Sequence, residues 1–299
     1  MCLNFRDVTL EDKQWIEPLL KMSSGTTLEY SFTTTFVWRH SFGHRVARMD
    51  DYFLLRVDRK APAYLFPSGR GPLEPVIRAL AADAKQLGVP LIFSGVSADA
   101  KARLEAMFPD QFSFEPDRDG ADYIYETQAL ATLRGNTLSG KRNHINRFLK
   151  NYPDWRYETI SGNNLEDVRR MNALWCVQNG CADDRAISEE YCAVESAIRH
   201  YGELGLSGGL LRTGGKVVAF SIGDPLNDDT FLVHFEKAFA DVKGAYQMIN
   251  QQFVLHHCMA YKYVNREEDA GVEGLRIAKL SYHPALLAEK YTATLKGRL

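Results

Sequence analysis

The sequence predicts an α/β (α+β) protein made of two tandem units, each a mixed, mostly antiparallel sheet flanked by helices. Three observations predict it. At 299 residues the chain exceeds one typical domain and suits two of about 150. Hydrophobic residues at 45% and charged residues at 25% are the balance of an ordinary globular core and surface. The same order of elements (helix, antiparallel strands, helix, strand, helix, strand) runs through the chain twice. The division is expected between residues 135 and 136, giving units 1–135 and 136–299.

The first half opens with a helix over Leu10–Met22, followed by an aromatic, threonine-rich stretch from Tyr30 to Trp38. Three β-like segments follow, His44–Met49, Tyr52–Val57 and Ala63–Phe66, rich in β-branched and aromatic residues. Ser68-Gly69-Arg70-Gly71 leads into a helix over Leu73–Leu87, and is either an anion cradle or a turn whose glycines permit positive φ. A strand Pro90–Ser94, a helix Ala98–Met107 and a strand Tyr123–Glu126 complete this half.

In the second half, a helix capped at Thr137 or Ser139 runs to Asn151, where Tyr152-Pro153 stops it. Trp155–Ile160 is a strand; Asn164–Gln178 and Glu189–Tyr201 are helices. Gly208–Arg212 and Lys216–Gly223 form a hairpin about Thr213-Gly214-Gly215. Then come a strand Thr230–Phe235, a helix Gly244–Cys258, a strand Tyr261–Val264, and a short helix opening near Gly274 and ending before Pro284. Tyr291–Leu295 is expected to close this second unit.

A net charge of −2 provides no global basic field, so any nucleic-acid contact must be local. No apolar run reaches the roughly 18 residues of a membrane helix, and the charged start is unlike a signal peptide. A cytoplasmic location is expected. Cys2, Cys176, Cys181, Cys192 and Cys258 include no CxxC pair and match no common zinc spacing with His256 or His257. Buried free thiols are the expectation.

Three segments concentrate polar chemistry. Between Glu126 and Asp154 there is no acid, yet Arg134, Lys141, Arg142, Arg147 and Lys150 all occur. Ile145, Phe148, Leu149 and Tyr152 make the apolar stripe of that helix, and Lys141 and Arg142 begin the same stripe. Cations at the mouth of a buried face suit an anionic partner; the alternative is that they snorkel outward. In the next segment Phe231, Val233 and Phe235 alternate with Leu232, His234 and Glu236, so Glu236 stands where a strand gives way to a loop. Gly244 then opens a helix on which Tyr246, Asn250 and Phe253 align. The plain alternative pairs Glu236 with Lys237 or Lys243. The last segment sets Asn265, Arg266, Glu267, Glu268 and Asp269 before a helix carrying Arg276, Lys279 and, seven residues on from Arg276, His283. A cationic helix face of this kind suits a phosphate or carboxylate, or is simply solvated.

GKRNHINRFLKNYP, HFEKAFADVKGAYQMIN and NREEDAGVEGLRIAKLSYHP together resemble an uncharacterised bacterial family. That family is related to the C-terminal catalytic domain of phosphatidylglycerol lysyltransferase, and is similar in turn to the Fem-type aminoacyltransferases. The resemblance runs from about Asp122 onward and is weakest before Tyr30. It implies two tandem GNAT-like acyltransferase domains, with the active cleft in the second. It implies transfer of an aminoacyl group from aminoacyl-tRNA to an amine or hydroxyl acceptor, a small molecule or a lipid headgroup. Lys141, Arg142 and Arg147 would contact donor phosphates; Tyr246, Asn250, Asn265 and Arg266 would line the substrate. Glu236 would orient or deprotonate the acceptor or hold an α-amino group. Arg276 or Lys279 would stabilise the oxyanion, and His283 or Glu236 would serve as base.

Relatives that use acetyl-CoA carry a glycine-rich pyrophosphate loop after the fourth strand. Here that register reads Asp241-Val242-Lys243-Gly244-Ala245-Tyr246, in which only Gly244 is fit to approach a cofactor. An acyl-CoA-dependent N-acyltransferase therefore ranks second, and a non-catalytic ligand- or RNA-binding protein third. The leading reading requires Arg142, Glu236 and Lys279 to converge on one hollow.

Overall fold

The computed structural model describes residues 3–23, 25–59, 61–297 and 299. In chain order the strands are β1 (Arg6–Asp7), β2 (His44–Met49), β3 (Tyr52–Val57), β4 (Ala63–Leu65), β5 (Ser68–Gly69), β6 (Ile92–Ser97), β7 (Phe112–Glu126), β8 (Arg156–Thr159), β9 (Ser207–Thr213), β10 (Lys216–Pro225), β11 (Thr230–Ala238), β12 (Tyr263–Asn265) and β13 (Leu286–Leu295). The helices are α1 (Lys13–Met22), α2 (Phe32–Val37), α3 (Arg39–Phe42), α4 (Glu74–Gln86), α5 (Ala98–Met107), α6 (Thr127–Thr132), α7 (Ser139–Asn151), α8 (Leu165–Gln178), α9 (Arg185–Arg199), α10 (Tyr201–Leu204), α11 (Ala245–Phe253) and α12 (Glu273–Leu280).

Two compact units result. The first takes residues 1–122, 268–272 and 287–299; the second takes 123–267 and 273–286. The change falls at Asp122/Tyr123 rather than at 135/136, because Ile124–Glu126 of β7 already pair with β12 of the second unit.

In the first unit the strand order is β1-β2-β3-β4-β6-β13 and then the opening part of β7. β4 and β6 run parallel, and the α4 crossover between them makes that direction possible. Tyr52, Tyr64, Phe93, Ile77, Leu80 and Leu104 centre its core. β13 does not close the second unit as expected. It pairs with β6, and its buried Lys290 is matched by Glu29 and Asp122, each at 2.7 Å, all within the first unit. In the loop Ser68–Gly71 two of the N–H groups that an anion cradle would use are already engaged: the Gly69 N–H donates to Ser23 Oγ at 3.0 Å and the Arg70 N–H to Asp51 O at 3.3 Å.

The second unit orders its strands as the last residues of β7, then β12-β11-β10-β9-β8, with only β11 and β12 parallel. Successive strand residues point to opposite faces. Glu236 meets Asn250 of α11, whereas Lys237 meets Glu190 of α9, so α11 and the α8–α9 pair cover opposite faces. α11 continues as a π turn through Val254–Cys258.

Cys176 and Cys181, expected as free thiols, form a disulfide. α8 ends at Gln178, and the Cys181 N–H returns to the Cys176 carbonyl at 3.1 Å, leaving the two Cα atoms 5.2 Å apart, within bridging distance. Cys192 is a free, exposed thiol and Cys258 a free, buried one; Cys2 lies outside the described residues.

Candidate functional site

The site grows from an irregularity in β11. Ile222 pairs with Phe235, but Gly223 pairs with Val233, so His234 is an extra residue in β11. Such a bulge re-aims the side chains around it. Gly223 is required there, since a Cβ would lie 2.2 Å from the Leu232 carbonyl oxygen. Beyond the bulge Glu236 stands opposite Ser221 of β10 on the α11 face, inside the strand rather than at its end as expected, because β11 stays paired as far as Ala238.

Both carboxylate oxygens of Glu236 are engaged. Arg266, in the loop after β12, donates from Nη2 to Oε1 at 2.7 Å, and Asn250 donates from Nδ2 to Oε2 at 2.8 Å. The two charged side chains are 11% and 12% exposed. The Arg266 guanidinium lies 4.8 Å from the Tyr282 ring centre and 5.6 Å from that of Tyr125. Burial acts to discharge Arg266, but Glu236, Tyr125 and Tyr282 together outweigh it and the net shift is upward. Burial raises the hydroxyls of Tyr125 and Tyr282 above the ordinary tyrosine range, leaving both neutral. Tyr125 donates to the Lys279 carbonyl at 2.8 Å.

Lys141, at the start of α7, reaches the same group. Its Nζ is 4.0 Å from the centre of Tyr282 and donates to Ser281 Oγ at 2.5 Å. Burial, and then the neighbouring charge of Arg266, lower its pKa, with Glu236 opposing. Three buried polar atoms beside this centre have no hydrogen-bond partner among the described residues: Arg266 Nη1, Asn250 Oδ1 and Ser221 Oγ. They comprise a cationic donor, an acceptor and a hydroxyl grouped around a carboxylate, which is the equipment for binding a polar ligand with both a carbonyl and an amine.

Lys279 is buried, and its Nζ donates to the carbonyls of Arg266 at 2.6 Å and Glu267 at 3.2 Å. It fastens the loop that presents Arg266. Asn265 is fully buried and accepts the Glu267 N–H on Oδ1 at 2.7 Å. Arg276 is half-buried on α12. His283 does not share that helix. α12 stops at Leu280, and His283 is exposed, at a φ of 54° with its N–H on the Leu280 carbonyl at 2.9 Å.

The other predicted residues are placed as follows. Arg142 does not join this centre, so the expected convergence of Arg142, Glu236 and Lys279 on one hollow is not met: Arg142 turns back along the chain, donating from Nη1 to the carbonyls of Leu133 and Gly135, and it is Arg266 that pairs with Glu236. Arg147 is exposed on α7, on the side away from the buried Ile145 and Phe148. Tyr246 accepts from Trp175 Nε1 at 3.3 Å. Gly244 adopts φ 90° at the start of α11, and a Cβ there would lie 2.3 Å from the His144 carbonyl oxygen of α7. Its bareness therefore serves the packing of α7 on α11. The alternative pairing of Glu236 does not occur: Lys237 lies 3.3 Å over Trp175 and 2.8 Å from Glu190, and Lys243 donates to the Ala240 carbonyl.

Sequence reasoning did not single out Tyr125, Ser221, Asp224 or His234. Ser221 and His234 carried a signal, each being a polar residue inside an otherwise apolar strand. His234 is buried with Nδ1 3.0 Å from Glu267 Oε1 and Nε2 2.9 Å from Asp224 Oδ1. Burial depresses its pKa, but the two carboxylates more than compensate and raise it to about 10.

Over residues 23–294 the sequence matches the family described as phosphatidylglycerol lysyltransferase, C-terminal. The chain belongs to this family. It is 40% identical to a conserved protein of unknown function from Bacteroides thetaiotaomicron VPI-5482, whose crystal structure superposes with a TM-score of 0.94 over 98% of this chain and 100% of that one. A C-terminal domain assigned to a lysylphosphatidylglycerol synthetase from Agrobacterium fabrum shares the fold at 13% identity, with a TM-score of 0.68 over 96% and 92% of the two chains. The fold is GNAT-like: a GNAT-family acetyltransferase from Colwellia psychrerythraea matches with a TM-score of 0.54 at 10% identity over 99% of each chain. An uncharacterised protein of Mycoplasmoides gallisepticum is 27% identical over 177 residues; the match spans 57% of this chain and about half of that protein, 54%. The family and the fold support an acyltransferase. Among the described residues no helix is long and apolar enough to cross a membrane.

Proposed function

We propose that the protein is an acyltransferase of the aminoacyl-transfer type, moving an aminoacyl group from aminoacyl-tRNA to an amine or hydroxyl acceptor such as a small molecule or a lipid headgroup. The observation that carries this is the grouping of Glu236, Asn250 Oδ1 and Arg266 Nη1, the two latter atoms buried and without a partner among the described residues. An aminoacyl ester presents an α-ammonium and a carbonyl together. The carboxylate and Asn250 Oδ1 accept from the ammonium, and Arg266 Nη1 donates to the carbonyl oxygen. An acetyl group has no ammonium and would leave the acceptors unused.

In the transfer the acceptor's lone pair attacks the ester carbonyl, and the oxyanion forms beside Arg266 and Lys141. Collapse breaks the bond to the terminal ribose oxygen, which leaves as a hydroxyl carrying the proton given up by the acceptor. Lys279 and Asn265 hold the Arg266 loop in place. Arg147 and Lys150, exposed on α7, supply contacts to donor phosphates. His283, exposed beyond the end of α12, takes no part in the chemical step. The seating of α7 on Gly244 weighs against acyl-CoA at the start of α11, because the His144 carbonyl oxygen already fills that approach.

The test is to incubate the protein with a pool of charged tRNA and a set of amines and alcohols, following loss of the aminoacyl ester and appearance of the amide or new ester. Transfer is expected with wild type and lost in Glu236→Gln and Arg266→Lys. Consumption of acetyl-CoA with charged tRNA untouched would overturn the proposal in favour of a CoA donor.

A further inference from the structure

Glu267 follows Arg266 directly and is held in the left-handed region at a φ of 56°, which a residue with a Cβ adopts only where its surroundings enforce it. Every handle on it is tied. Its N–H donates to Asn265 Oδ1 at 2.7 Å. Its carbonyl accepts from the Tyr123 N–H at 3.1 Å and from Lys279 Nζ at 3.2 Å. Its carboxylate faces His234 Nδ1 at 3.0 Å. Opposite, His234 Nε2 faces Asp224 at 2.9 Å.

The charge state follows from the bonding. A neutral ring can donate from only one nitrogen, so a carboxylate acceptor on each nitrogen favours the imidazolium, which donates from both. Two charge-assisted bonds hold it more firmly than neutral ones would. A buried cation in an apolar strand is costly, and leucine would fill the same position with no partners to find. The histidine sits at the bulge that also aims Glu236, and bulges of this kind gather beside active sites.

We infer that His234 is a positioning residue of the Glu236–Arg266 centre, clamping Glu267 in its left-handed backbone so that Arg266 is presented to Glu236. The chemical importance of that centre rests on the aminoacyl-transfer proposal; the clamp itself is a matter of geometry and can be read without any substrate.

The experiment follows the Arg266 guanidinium hydrogens by NMR, assigned by their disappearance in Arg266→Lys, and measures their exchange with water in wild type and in His234→Gln. In wild type, buried and paired with Glu236, they should exchange slowly. Losing a charge-assisted bond is worth about tenfold or more in an equilibrium, so His234→Gln should speed their exchange by at least about tenfold. Amides of β8 and β9 should keep their protection, which a general loss of stability would not allow. His234→Lys, restoring one cation to Glu267, should recover part of the protection. If His234→Gln is too unstable to study, Asp224→Asn weakens the same clamp and should give the same selective loss. Arg266 hydrogens as protected as in wild type, or a loss of protection equal across the sheet, would overturn the inference. Neither outcome depends on whether charged tRNA is the donor.

Discussion

Arg266 Nη2 and Glu236 Oε1 lie 2.7 Å apart, nearly nine-tenths buried, while Arg266 Nη1 and the Oδ1 of neighbouring Asn250 have no partner among the described residues. The ion pair is thus only half of a hydrogen-bonding pattern. The proposed aminoacyl ester would complete the other half.

Breaking the pair should be costly for folding as well as activity. Glu236→Gln leaves the buried Arg266 without its counter-charge, and about 3 kcal/mol of stability should be lost, the low end of the range because some solvent reaches both groups. Urea denaturation of the two proteins at neutral pH measures it. A change within about 0.5 kcal/mol would mean that the pair contributes little to folding.

Lys279 should prove a fastening rather than a reacting group. Lys279→Met keeps the length of the stem but removes the donors to the carbonyls of Arg266 and Glu267, leaving two buried acceptors short of a bond. A loss of about 2–3 kcal/mol is expected. Faster hydrogen exchange at the amides of Tyr123 and Arg266, both bonded across this loop, should accompany it.

His234 gives stability a distinctive pH dependence. Its folded pKa, about 10, is raised above its ordinary 6.5. Its contribution is therefore complete below about pH 6.5, declines as pH rises above that value, and is gone above about pH 10. Comparing urea midpoints of wild type and His234→Gln from pH 6 to 10 isolates this group, which faces Asp224 and Glu267. The gap between the two proteins should narrow as pH rises.

Gly244→Ala should destabilise strongly, since the new Cβ would press on the His144 carbonyl and the backbone sits at a positive φ. A loss of about 1–3 kcal/mol is expected from the strain. Thermal denaturation decides it, and an unchanged midpoint would show that α7 yields at no cost.

Much of this was legible in the chain. The strand β11 and the helix after Gly244 were read from the chain, but strict alternation set Phe231 and Glu236 on opposite faces, whereas both meet α11, at Phe253 and Asn250. The bulge was not legible, because register depends on the partner strand, and Glu236 found Arg266 rather than the adjacent Lys237. Lys279 was grouped with Arg276 on a cationic face by its spacing; no spacing announces an ammonium destined for backbone carbonyls. His283 was projected onto a helix that ends three residues earlier. β13 was assigned to the second unit by its place in the chain, whereas a strand goes where it pairs, and β6 and the buried Lys290 cluster draw it to the first.

The most direct measurement is the affinity of the purified protein for amino-acid amides, for the same amides N-acetylated, and for acetyl-CoA, in wild type and Glu236→Gln. A site built around an α-ammonium should bind one or more free amides, lose them on N-acetylation by at least about tenfold, and lose them equally in Glu236→Gln. Tight binding of acetyl-CoA with indifference to every free amide would contradict it.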